Sequence, residues 1–241
     1  MYELKKVNFK QTLSVVIPLY NKESNIASTL KQVIEYIDSP DLQIIVVENG
    51  STDSSKQIAE ECIKNYSDEN KITLYSSEKG LGNALIEGFK HCKNEWVYFI
   101  PADFSFGNSE LLFIEENNLY KTHHLFIGSK THSDSKIERS KSRKLYSLIF
   151  NSLLKIMFSI PYNDTQGTIV FKSDILDDIG ILRNQEFLIT TEFIVKAYKL
   201  KKSILEIPIV DLGIDTVSTV KPIVDGFKMI ISIIKLKFQI N

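Results

Sequence analysis

The sequence predicts an α/β fold in which a mostly parallel central sheet carries helices on both faces. Short apolar runs such as LSVVIPL, at residues 13–19, are typical of strands that are buried on both sides. These runs alternate with amphipathic stretches of ten or more residues, which is the pattern of strand–helix–strand units. The alternation is clearest before residue 105, so we expect the first half of the chain to form one continuous parallel region.

Each element of the first half follows from the spacing of its apolar residues. A helix is predicted after the first strand because Ile26, Leu30 and Val33 recur on one helical face. The predicted elements of this half, in chain order, are a strand at 13–19, a helix at 25–37, a strand at 43–47, a helix at 54–66, a strand at 72–75, a helix at 81–92 and a strand at 96–100.

The second half is less regular. Its predicted elements are a helix at 109–120, a strand at 125–128, a helix at 143–158, a strand at 168–171, a short helix at 173–179, a helix at 190–199 and a strand at 203–210. Residues 222–241 carry apolar side chains at helical spacing with lysines between them, which predicts an amphipathic C-terminal helix. No change of composition divides residues 1–221, so we expect one domain followed by that helix.

The composition is that of a soluble globular protein. Of the 241 residues, 43% are hydrophobic and 24% are charged, and the formal net charge is -1. A duplex-binding protein would carry a basic excess, so nucleic acid is not expected as the partner. Cys62 and Cys92 lack a CxxC spacing and are expected to be reduced, half-buried thiols of a cytoplasmic protein. Neither a signal peptide nor a membrane-spanning helix is expected.

Four polar segments follow the predicted strands of the first half. They are YNKE at 20–23, ENGSTD at 48–53, EKGLGNA at 78–84 and PAD at 101–103. Ligands of an open parallel sheet bind beyond the carboxyl ends of the strands, so these segments should border one site. Gly80 and Gly82 follow the third strand, and Leu85 stands where a dinucleotide motif has its third glycine, so a nicotinamide site is not expected.

The segments VIPLYN, ENGSTD, KGLGNAL and WVYFIPAD resemble, in order and spacing, the inverting family 2 glycosyltransferases of GT-A fold. The most similar branch is the polyprenyl-phosphate glycosyltransferases, of which dolichyl-phosphate mannosyltransferase is the best-known type. The resemblance runs from Leu13 to about Val210. It implies that residues 13–105 form a Rossmann-like half that binds a nucleotide sugar, and that residues 106–221 form an acceptor half.

The resemblance implies a UDP- or GDP-sugar held by strand-end residues. Pro18 and Tyr20 offer planar surface to the base, and Glu48 offers an acceptor to a ring N–H. Each has a plainer alternative: a strand-ending turn at Pro18 and Tyr20, or an Asn-Gly turn with a helix cap from Ser51 or Thr52. The full set of expected donor-site residues is Pro18, Tyr20, Glu23, Glu48, Gly50, Ser51, Lys79, Gly80, Ala102 and Asp103.

Asp103 is the expected ligand of a divalent metal, Mg²⁺ or Mn²⁺. The family usually has Asp-x-Asp at this strand end, whereas this chain has Pro101-Ala102-Asp103. Mg²⁺ often uses only one or two protein carboxylates and completes its shell with phosphates and water, so Asp103 alone can hold it. The alternative is a solvated carboxylate at the end of a strand.

The second half contributes the other expected catalytic residues. Arg143, Ser147 and Asn151 share one helix face, which is either an ordinary solvated face or one that points Arg143 at an acceptor phosphate. The resemblance places Asp164 and Gln166 at the sugar, and Glu192 in an Asp-x-Glu motif whose first position is Thr190. The expected catalytic set is therefore Asp103, Arg143, Asp164, Gln166 and Glu192.

The acceptor follows from the kind of base that the reaction needs. A hydroxyl acceptor needs a general base, whereas a phosphate is already an anion at neutral pH and needs positive charge, from a metal, Lys130, Arg143 or Lys221. The leading hypothesis is transfer to a polyprenyl phosphate at the inner face of the cytoplasmic membrane. The alternatives are a glycan hydroxyl, with Glu192 or Asp164 as the base, and a catalytically silent binding protein, suggested by Pro101 and Thr190.

The C-terminal helix has three possible roles. Its apolar face, which includes Ile231, Ile234 and Phe238, is suited to lie on a membrane surface. It could instead mediate a homodimer or pack onto the domain. The pattern of residues leaves all three open.

Overall fold

The computed structural model describes residues 4–66, 71–137, 141–213 and 222–240, and for 141–144 and 222–230 it describes the backbone alone. Its strands are β1 (Val7–Asn8), β2 (Leu13–Leu19), β3 (Ile37–Asp38), β4 (Leu42–Glu48), β5 (Ile72–Ser76), β6 (Trp96–Phe99), β7 (Leu125–Ser129), β8 (Ile169–Lys172) and β9 (Ile204–Pro208). Its α-helices are α1 (Ile26–Tyr36), α2 (Ser55–Asn65), α3 (Leu81–Lys90), α4 (Ser109–Glu116), α5 (Lys141–Phe158), α6 (Asp174–Ile179), α7 (Ile189–Lys199) and α8 (Pro222–Ile240).

The predicted elements are confirmed in order and type, and most bounds agree within two residues. The two-residue strands β1 and β3 were not predicted. The largest difference in length concerns the helix after β6. The helix predicted to reach residue 120 ends at Glu116, and a short 3₁₀ turn, Leu119–Lys121, follows it. Asn118, between them, has a φ of 52°, a left-handed conformation in which asparagine commonly ends a helix.

Seven strands form the main sheet, in the order β5-β4-β2-β6-β8-β7-β9. All neighbouring pairs are parallel except those of β8, which runs antiparallel to both β6 and β7. The prediction of a mostly parallel sheet is therefore confirmed. The antiparallel strand belongs to the second half of the chain, where the sequence pattern is less regular.

The helices cover both faces of this sheet, as predicted. All seven residues of β2 are buried, and successive side chains enter different cores: Val15 and Ile17 join one apolar cluster, and Val16 joins the other. On the second face α3 approaches closely, because a Cβ at Gly88 would lie 2.5 Å from Val16 Cγ1. A full side chain at position 88 would therefore push α3 away from the strand.

The order of the strands fixes where a ligand can bind. From β2 the chain passes to β4 and β5 on one side, and then returns to place β6 on the other side of β2. Such a switch opens a crevice between two carboxyl ends, and in open α/β sheets this crevice is the usual ligand site. The segments that follow β2 and β6, which contain Tyr20 and Asp103, border this crevice.

Helices α5 and α8 pack against each other and also leave large apolar side chains exposed. They meet around a small apolar core of Leu154, Leu188, Ile233 and Leu236. The outer surface of α5 is apolar, because its large exposed side chains are Leu145, Tyr146, Leu148, Ile149 and Ile156. Asn151, from the predicted polar stripe, is buried. The alternative of an ordinary solvated stripe is therefore wrong at Asn151, and α5 turns part of its polar side towards the protein.

The C-terminal helix packs on the domain and also presents an apolar face. Ile233 and Leu236 are buried, while Ile231, Ile234 and Phe238 are exposed. Intramolecular packing and an exposed apolar face, which were alternatives in the sequence, thus occur together on different sides. Across the described ranges, no helix combines the length and the apolar character that crossing a membrane requires.

Candidate functional site

A cleft of about 570 Å³ opens where the carboxyl ends of β2, β4 and β6 meet. Its volume lies in the range of small-molecule binding sites. It is lined by Pro18, Tyr20, Lys22, Asn49, Lys79, Gly80, Leu81, Phe99, Pro101, Ala102, Asp103 and Glu186. The expected donor-site residues Pro18, Tyr20, Lys79, Gly80, Ala102 and Asp103 are thus brought together in one cleft.

The other expected donor-site residues, Glu23, Glu48, Gly50 and Ser51, are not among the lining residues. Glu48 accepts a hydrogen bond from the backbone N–H of Ser51 and so closes its own turn. The carboxylate of Glu23 accepts the backbone N–H of Ser54 at 2.9 Å. In this structure these residues hold the loop after β2 against the loop after β4.

The helix cap in this region differs from the expected one. Ser51 or Thr52 was expected to cap α2, but the helix begins at Ser55, and the nearby amides donate to Glu23 and Asp53. Burial opposes ionisation of Asp53, but hydrogen bonds from Ser55 and from the Glu23 amide outweigh it, so the pKa of Asp53 is lowered. Carboxylates here suit the positive end of the helix dipole.

Tyr20 and Lys79 form the wall of the cleft nearest to β4 and β5. The Lys79 ammonium lies 4.7 Å from the centroid of the Tyr20 ring, which is cation–π geometry. Gly50, with a φ of 87°, lies next to Lys79, and a Cβ there would sit 3.5 Å from Lys79 Cβ. A ring and a cation in contact can receive a nucleotide, with the base at the ring and the phosphates at the ammonium.

Lys22 and Asp103 form an ion pair across the cleft. The Lys22 Nζ lies 2.7 Å from Asp103 Oδ2, and the two side chains are 31% and 8% exposed. The backbone N–H of Lys22 donates to Ser55 Oγ at 2.6 Å, which fixes the start of the lysine side chain. Sequence reasoning missed Lys22 as a site residue, because nothing local in YNKE signals a partner 81 residues away.

The residues around Asp103 do not fit a divalent metal ion as they stand. Asp103 Oδ2 accepts Lys22 Nζ, and Oδ1 accepts the Ser105 backbone N–H at 3.2 Å. In the part of the chain that the structure describes, no three His, Cys, Asp or Glu side chains are grouped to hold a metal. A metal on Asp103 would lie within about 5 Å of the Lys22 ammonium, and the two cations would repel each other. For scale, even two unit charges 4 Å apart interact by about 4 kcal/mol at an effective dielectric of 20.

Asp164 and Gln166 lie together in the second half, next to Lys130. Asp164 Oδ2 accepts the Lys130 backbone N–H at 3.0 Å, and the Lys130 ammonium donates to the Gln166 carbonyl oxygen at 3.0 Å. The Gln166 side-chain amide donates to the carbonyl of Phe187 at 3.3 Å. This cluster is therefore joined to the segment that carries Glu186 into the cleft.

Glu192 is fully buried below the same segment. Its carboxylate accepts the backbone N–H groups of Arg183 at 3.0 Å and Asn184 at 2.7 Å, and it pairs with Lys196 at 2.9 Å. The structure thus does not bring Glu192 to the cleft, where Glu186 is found instead. Sequence reasoning missed Glu186 because a polar segment before a helix carries no periodic signal.

Two glycines let this segment close over the start of α3. The Gln185 carbonyl accepts the Asn83 backbone N–H at 3.2 Å. A Cβ at Gly80 would lie 2.3 Å from the Gln185 oxygen, and one at Gly82 would lie 2.0 Å from the Asn184 oxygen. These contacts require glycine and explain the G-x-G spacing by close packing between the start of α3 and the segment before α7.

The remaining cationic candidates are only partly described. Arg143 belongs to α5, but its side chain lies outside the described residues, as does all of Lys221. The predicted role of Arg143 therefore stays a prediction. Cys62 and Cys92 are both half-buried and outside any disulfide, as expected.

A doubly wound sheet with a cleft at its switch point defines an open α/β protein with a ligand site at the carboxyl ends of its strands, and aromatic rings and two lysines line the cleft. Residues 14–178 match the family model described as glycosyl transferase family 2, and the chain belongs to that family. This result confirms the family to which the strand-end segments pointed.

Several relatives are named as transferases that act on dolichyl phosphate or undecaprenyl phosphate. The dolichyl-phosphate β-glucosyltransferase of Saccharomyces cerevisiae is 30% identical over 243 residues, covering 88% of this chain and 73% of the relative. The undecaprenyl-phosphate 4-deoxy-4-formamido-L-arabinose transferase of Edwardsiella ictaluri is 32% identical over 105 residues, covering 43% and 31%. A dolichyl-phosphate β-glucosyltransferase of Trichomonas vaginalis is 27% identical over 212 residues, covering 82% and 64%.

Solved structures confirm the GT-A fold. Glucosyl-3-phosphoglycerate synthase from Mycobacterium tuberculosis, in complex with Mn²⁺, UDP and glucosyl-3-phosphoglycerate, superposes with a TM-score of 0.66 at 16% identity, covering 95% of this chain and 80% of that one. The same enzyme with Mg²⁺ and UDP gives a TM-score of 0.65 at 16% identity, covering 95% and 79%. At this identity the likeness concerns the fold alone.

Proposed function

We propose that this protein transfers a sugar from a UDP- or GDP-sugar to a polyprenyl phosphate, with inversion at the anomeric carbon. The observation that carries the proposal is the cleft itself, in which Tyr20 and Lys79 lie opposite the Lys22–Asp103 pair. The names of the relatives support the polyprenyl-phosphate acceptor. We also propose that residues 13–105 form the half that binds the nucleotide sugar and that residues 106–221 form the acceptor half.

The chemistry follows from the charges of the cleft. The base binds at Pro18 and Tyr20, and the diphosphate extends towards Lys22 and Lys79. A phosphate oxygen of the acceptor attacks the anomeric carbon while the bond from that carbon to the diphosphate breaks, and the leaving diphosphate takes the electron pair. Cations that are held in place before the reaction stabilise this leaving charge without reorganisation.

The acceptor needs no general base if it is a phosphate. This agrees with the state of the expected carboxylates, because Asp103, Asp164 and Glu192 are all engaged by N–H donors or by lysine. We propose that Arg143 and Lys130 attract the acceptor phosphate. Under this proposal Asp164 and Gln166 hold Lys130 in position. The Gln166 side chain also holds the segment that contains Phe187.

We further propose that α5 and α8 rest on the lipid surface that holds the acceptor, at the inner face of the cytoplasmic membrane. Ile156 is 77% exposed and Phe238 is 80% exposed on these two neighbouring helices. In the sequence, residues 136–144, which directly precede Leu145, contain five lysines or arginines and one glutamate. Apolar side chains with basic residues beside them are typical of helices that lie on anionic membranes.

The transfer reaction is tested with radiolabelled UDP- and GDP-sugars. Undecaprenyl phosphate, dolichyl phosphate and soluble glycans are offered as acceptors, and Lys79→Gln is compared with Lys172→Gln, whose side chain pairs with Glu95 at the opposite end of the sheet. We expect a lipid-linked product that Lys79→Gln reduces about tenfold or more. Failure to form lipid-linked product from any donor would refute the acceptor.

A second candidate function, transfer to a glycan hydroxyl, is favoured by one observation. Glu186 lines the cleft and is the exposed carboxylate that could serve as a base there. In that case Glu186→Gln would abolish transfer to soluble glycans at unchanged nucleotide affinity. Under the polyprenyl-phosphate proposal the same variant keeps its activity within about threefold, since a phosphate needs no base.

Membrane binding is tested by flotation with vesicles that contain anionic phospholipid. The variant Ile156→Glu/Phe238→Glu is compared with Ile181→Glu, which changes a side chain that is 78% exposed and precedes α7. Burying one such side chain is worth about 1.5–3 kcal/mol, so the double variant should lose at least about tenfold in partitioning. If the wild type and both variants float alike, this surface does not bind lipid. If the double variant instead sediments as a smaller species than the wild type, the surface mediates a homodimer.

A further inference from the structure

We propose that the Lys22 ammonium, held by Asp103, takes the place of the divalent cation, so that this protein binds its nucleotide diphosphate without a metal. The inference rests on the proposed function, because it concerns the diphosphate of the same donor. It assigns a binding role to Lys22, a residue outside the motifs on which the resemblance was founded.

The first argument is the engagement of Asp103. Both carboxylate oxygens already accept hydrogen bonds, one from Lys22 Nζ at 2.7 Å and one from the Ser105 amide. A metal would have to displace the ammonium or bind beside it against its charge. Pro101 removes the second carboxylate that could compensate for that repulsion.

The second argument is the orientation of the ammonium. An ammonium has three N–H donors. Within the described ranges, Asp103 is the one acceptor within hydrogen-bond distance of Lys22 Nζ, which leaves donors for phosphate oxygens. The backbone N–H of Lys22 donates to Ser55 Oγ, and the ammonium at the end of its side chain donates to Asp103. Both the backbone and the ammonium of Lys22 are therefore held in place before a ligand arrives.

The third argument is the charge that surrounds the diphosphate. A nucleotide-diphosphate sugar brings about two negative charges, and Lys22 and Lys79 both line the cleft. Lys79 rests on the Tyr20 ring, from which it can turn towards phosphate when a base takes its place. Together with the carboxylate of Asp103, the two lysines carry a net charge of +1, which attracts the diphosphate without a metal.

The test is calorimetric titration of UDP and of GDP into the full chain, once with EDTA and once with millimolar Mn²⁺. For the nucleotide that binds, we expect the wild-type Kd in EDTA to lie within about threefold of its value in Mn²⁺. Lys22→Gln should weaken binding in EDTA about tenfold or more, and Mn²⁺ should recover part of this loss because Asp103 is released. Lys22→Arg, which keeps the charge, should stay independent of metal.

Control variants separate the possible failures. Lys172→Gln removes a partly exposed lysine at the other end of the sheet and should bind like the wild type in both buffers. Lys22→Gln/Pro101→Asp should bind in Mn²⁺ and lose at least about tenfold in EDTA. Circular dichroism confirms that each variant is folded.

Two results would overturn the inference in different ways. If wild-type binding weakens tenfold or more in EDTA, a metal is needed and Lys22 does not replace it, while the proposed function stands. If neither nucleotide binds in either buffer, the proposed function fails and this inference fails with it.

Discussion

Glu110, at the start of α4, carries a carboxyl group that is completely buried among hydroxyl groups. Tyr98 and Ser109 hydroxyls lie 2.9 Å from Oε2, and the Thr168 hydroxyl lies against Oε1. The Tyr98 hydroxyl is also 3.2 Å from the Gly107 carbonyl, but it has one proton to donate. A protonated Glu110 can donate to Tyr98 while Tyr98 donates to Gly107. Burial raises the pKa of Glu110 and favours this neutral form.

The raised pKa of Glu110 predicts how stability changes with pH. The contribution of the neutral group is complete below the unfolded pKa, near 4.5, and is lost as pH rises through the higher folded pKa. The glutamine of Glu110→Gln cannot ionise. From pH 5 to pH 9 the free energy of unfolding of the wild type should therefore fall relative to that of the variant. Near pH 5 the two should differ by about 1 kcal/mol, the worth of one altered hydrogen bond. Urea titrations at several pH values measure this, and parallel pH profiles would contradict it.

Cys92 leads to a prediction about chemical reactivity. Burial raises the pKa of its thiol to about 12, and its Sγ lies 3.5 Å from the Gly88 carbonyl. At pH 8 roughly one molecule in ten thousand then carries the reactive thiolate. Cys62, whose pKa is also raised by burial and by Glu61, is slowed less. We expect a disulfide reagent to label Cys62 first and Cys92 only on unfolding, with Cys92→Ser as the control. Prompt labelling of two thiols in the native protein would disprove this.

At the scale of elements, α5 shows where a sequence pattern stops being informative. The spacing of Leu145, Leu148 and Ile149 predicts a helix with one apolar face, and the helix is there. Periodicity does not say whether that face meets the protein or its surroundings. Here the neighbours of α5 bury Leu154 and Asn151 and leave the apolar row outside. The proposed contact of α5 with a lipid surface would account for this orientation, because the apolar row would then lie against lipid.

The segment before α7 is held from below by Glu192. This carboxylate is 0% exposed and binds two backbone amides of the segment as well as Lys196. The segment in turn carries Glu186 to the cleft and covers the glycines at the start of α3. We therefore interpret Glu192 as a positioning residue for the wall of the site.

Removal of Glu192 should loosen this wall. Glu192→Ala leaves Lys196 and two amides without their partner, and we expect a loss of about 3–5 kcal/mol in unfolding free energy. Glu192→Gln should lose less, and both variants should weaken the binding of UDP or GDP, whichever the protein binds. Glu186→Gln, at an exposed position of the same segment, is the matched control and should leave stability unchanged. A Glu192→Gln protein with normal melting and normal UDP affinity but a large loss of kcat would instead identify Glu192 as a base.

In the molecule as a whole, strands from both of the proposed halves, residues 13–105 and 106–221, belong to one sheet, and both ranges line one cleft. Most lining residues belong to 13–105, but Glu186 comes from the second half, and its segment binds the Asn83 amide. A ligand in the cleft therefore touches both halves. Its binding energy should add to the stability of the entire fold.

Nucleotide binding should raise the melting temperature. A ligand at a hundred times its Kd stabilises the native state by about 2.7 kcal/mol. For a chain of this size each kcal/mol shifts the transition by about 2–4 °C, so we expect UDP or GDP to raise it by about 5–10 °C. Scanning fluorimetry measures the shift, with inorganic phosphate at equal ionic strength as the control. A saturated protein, verified by calorimetry, that melts at the temperature of the free protein would contradict a site shared by both halves.

The sequence predicted the sheet and the side of it that binds ligand, because buried parallel strands and the segments after them are local patterns. It predicted less of the site. The Lys22–Asp103 pair joins two loops that are distant in the chain, and the roles of Glu48 and Glu192 depend on which amides lie above them. Such contacts are set by tertiary packing, which no local pattern encodes.

The position of β8 has a consequence for how the chain is made. As synthesis proceeds, β4 and β6 can pair with β2, and β5 can pair with β4, as soon as each emerges, because each of these three strands has an earlier neighbour. β7 has none: its partners are β8 and β9, both of which come later. At about 5–20 residues per second, this apolar strand waits for seconds before β8 arrives between it and β6. During that interval the nascent chain exposes the unpaired strand Leu125–Ser129, whose first three residues are apolar, and chaperones that bind such segments have a target there.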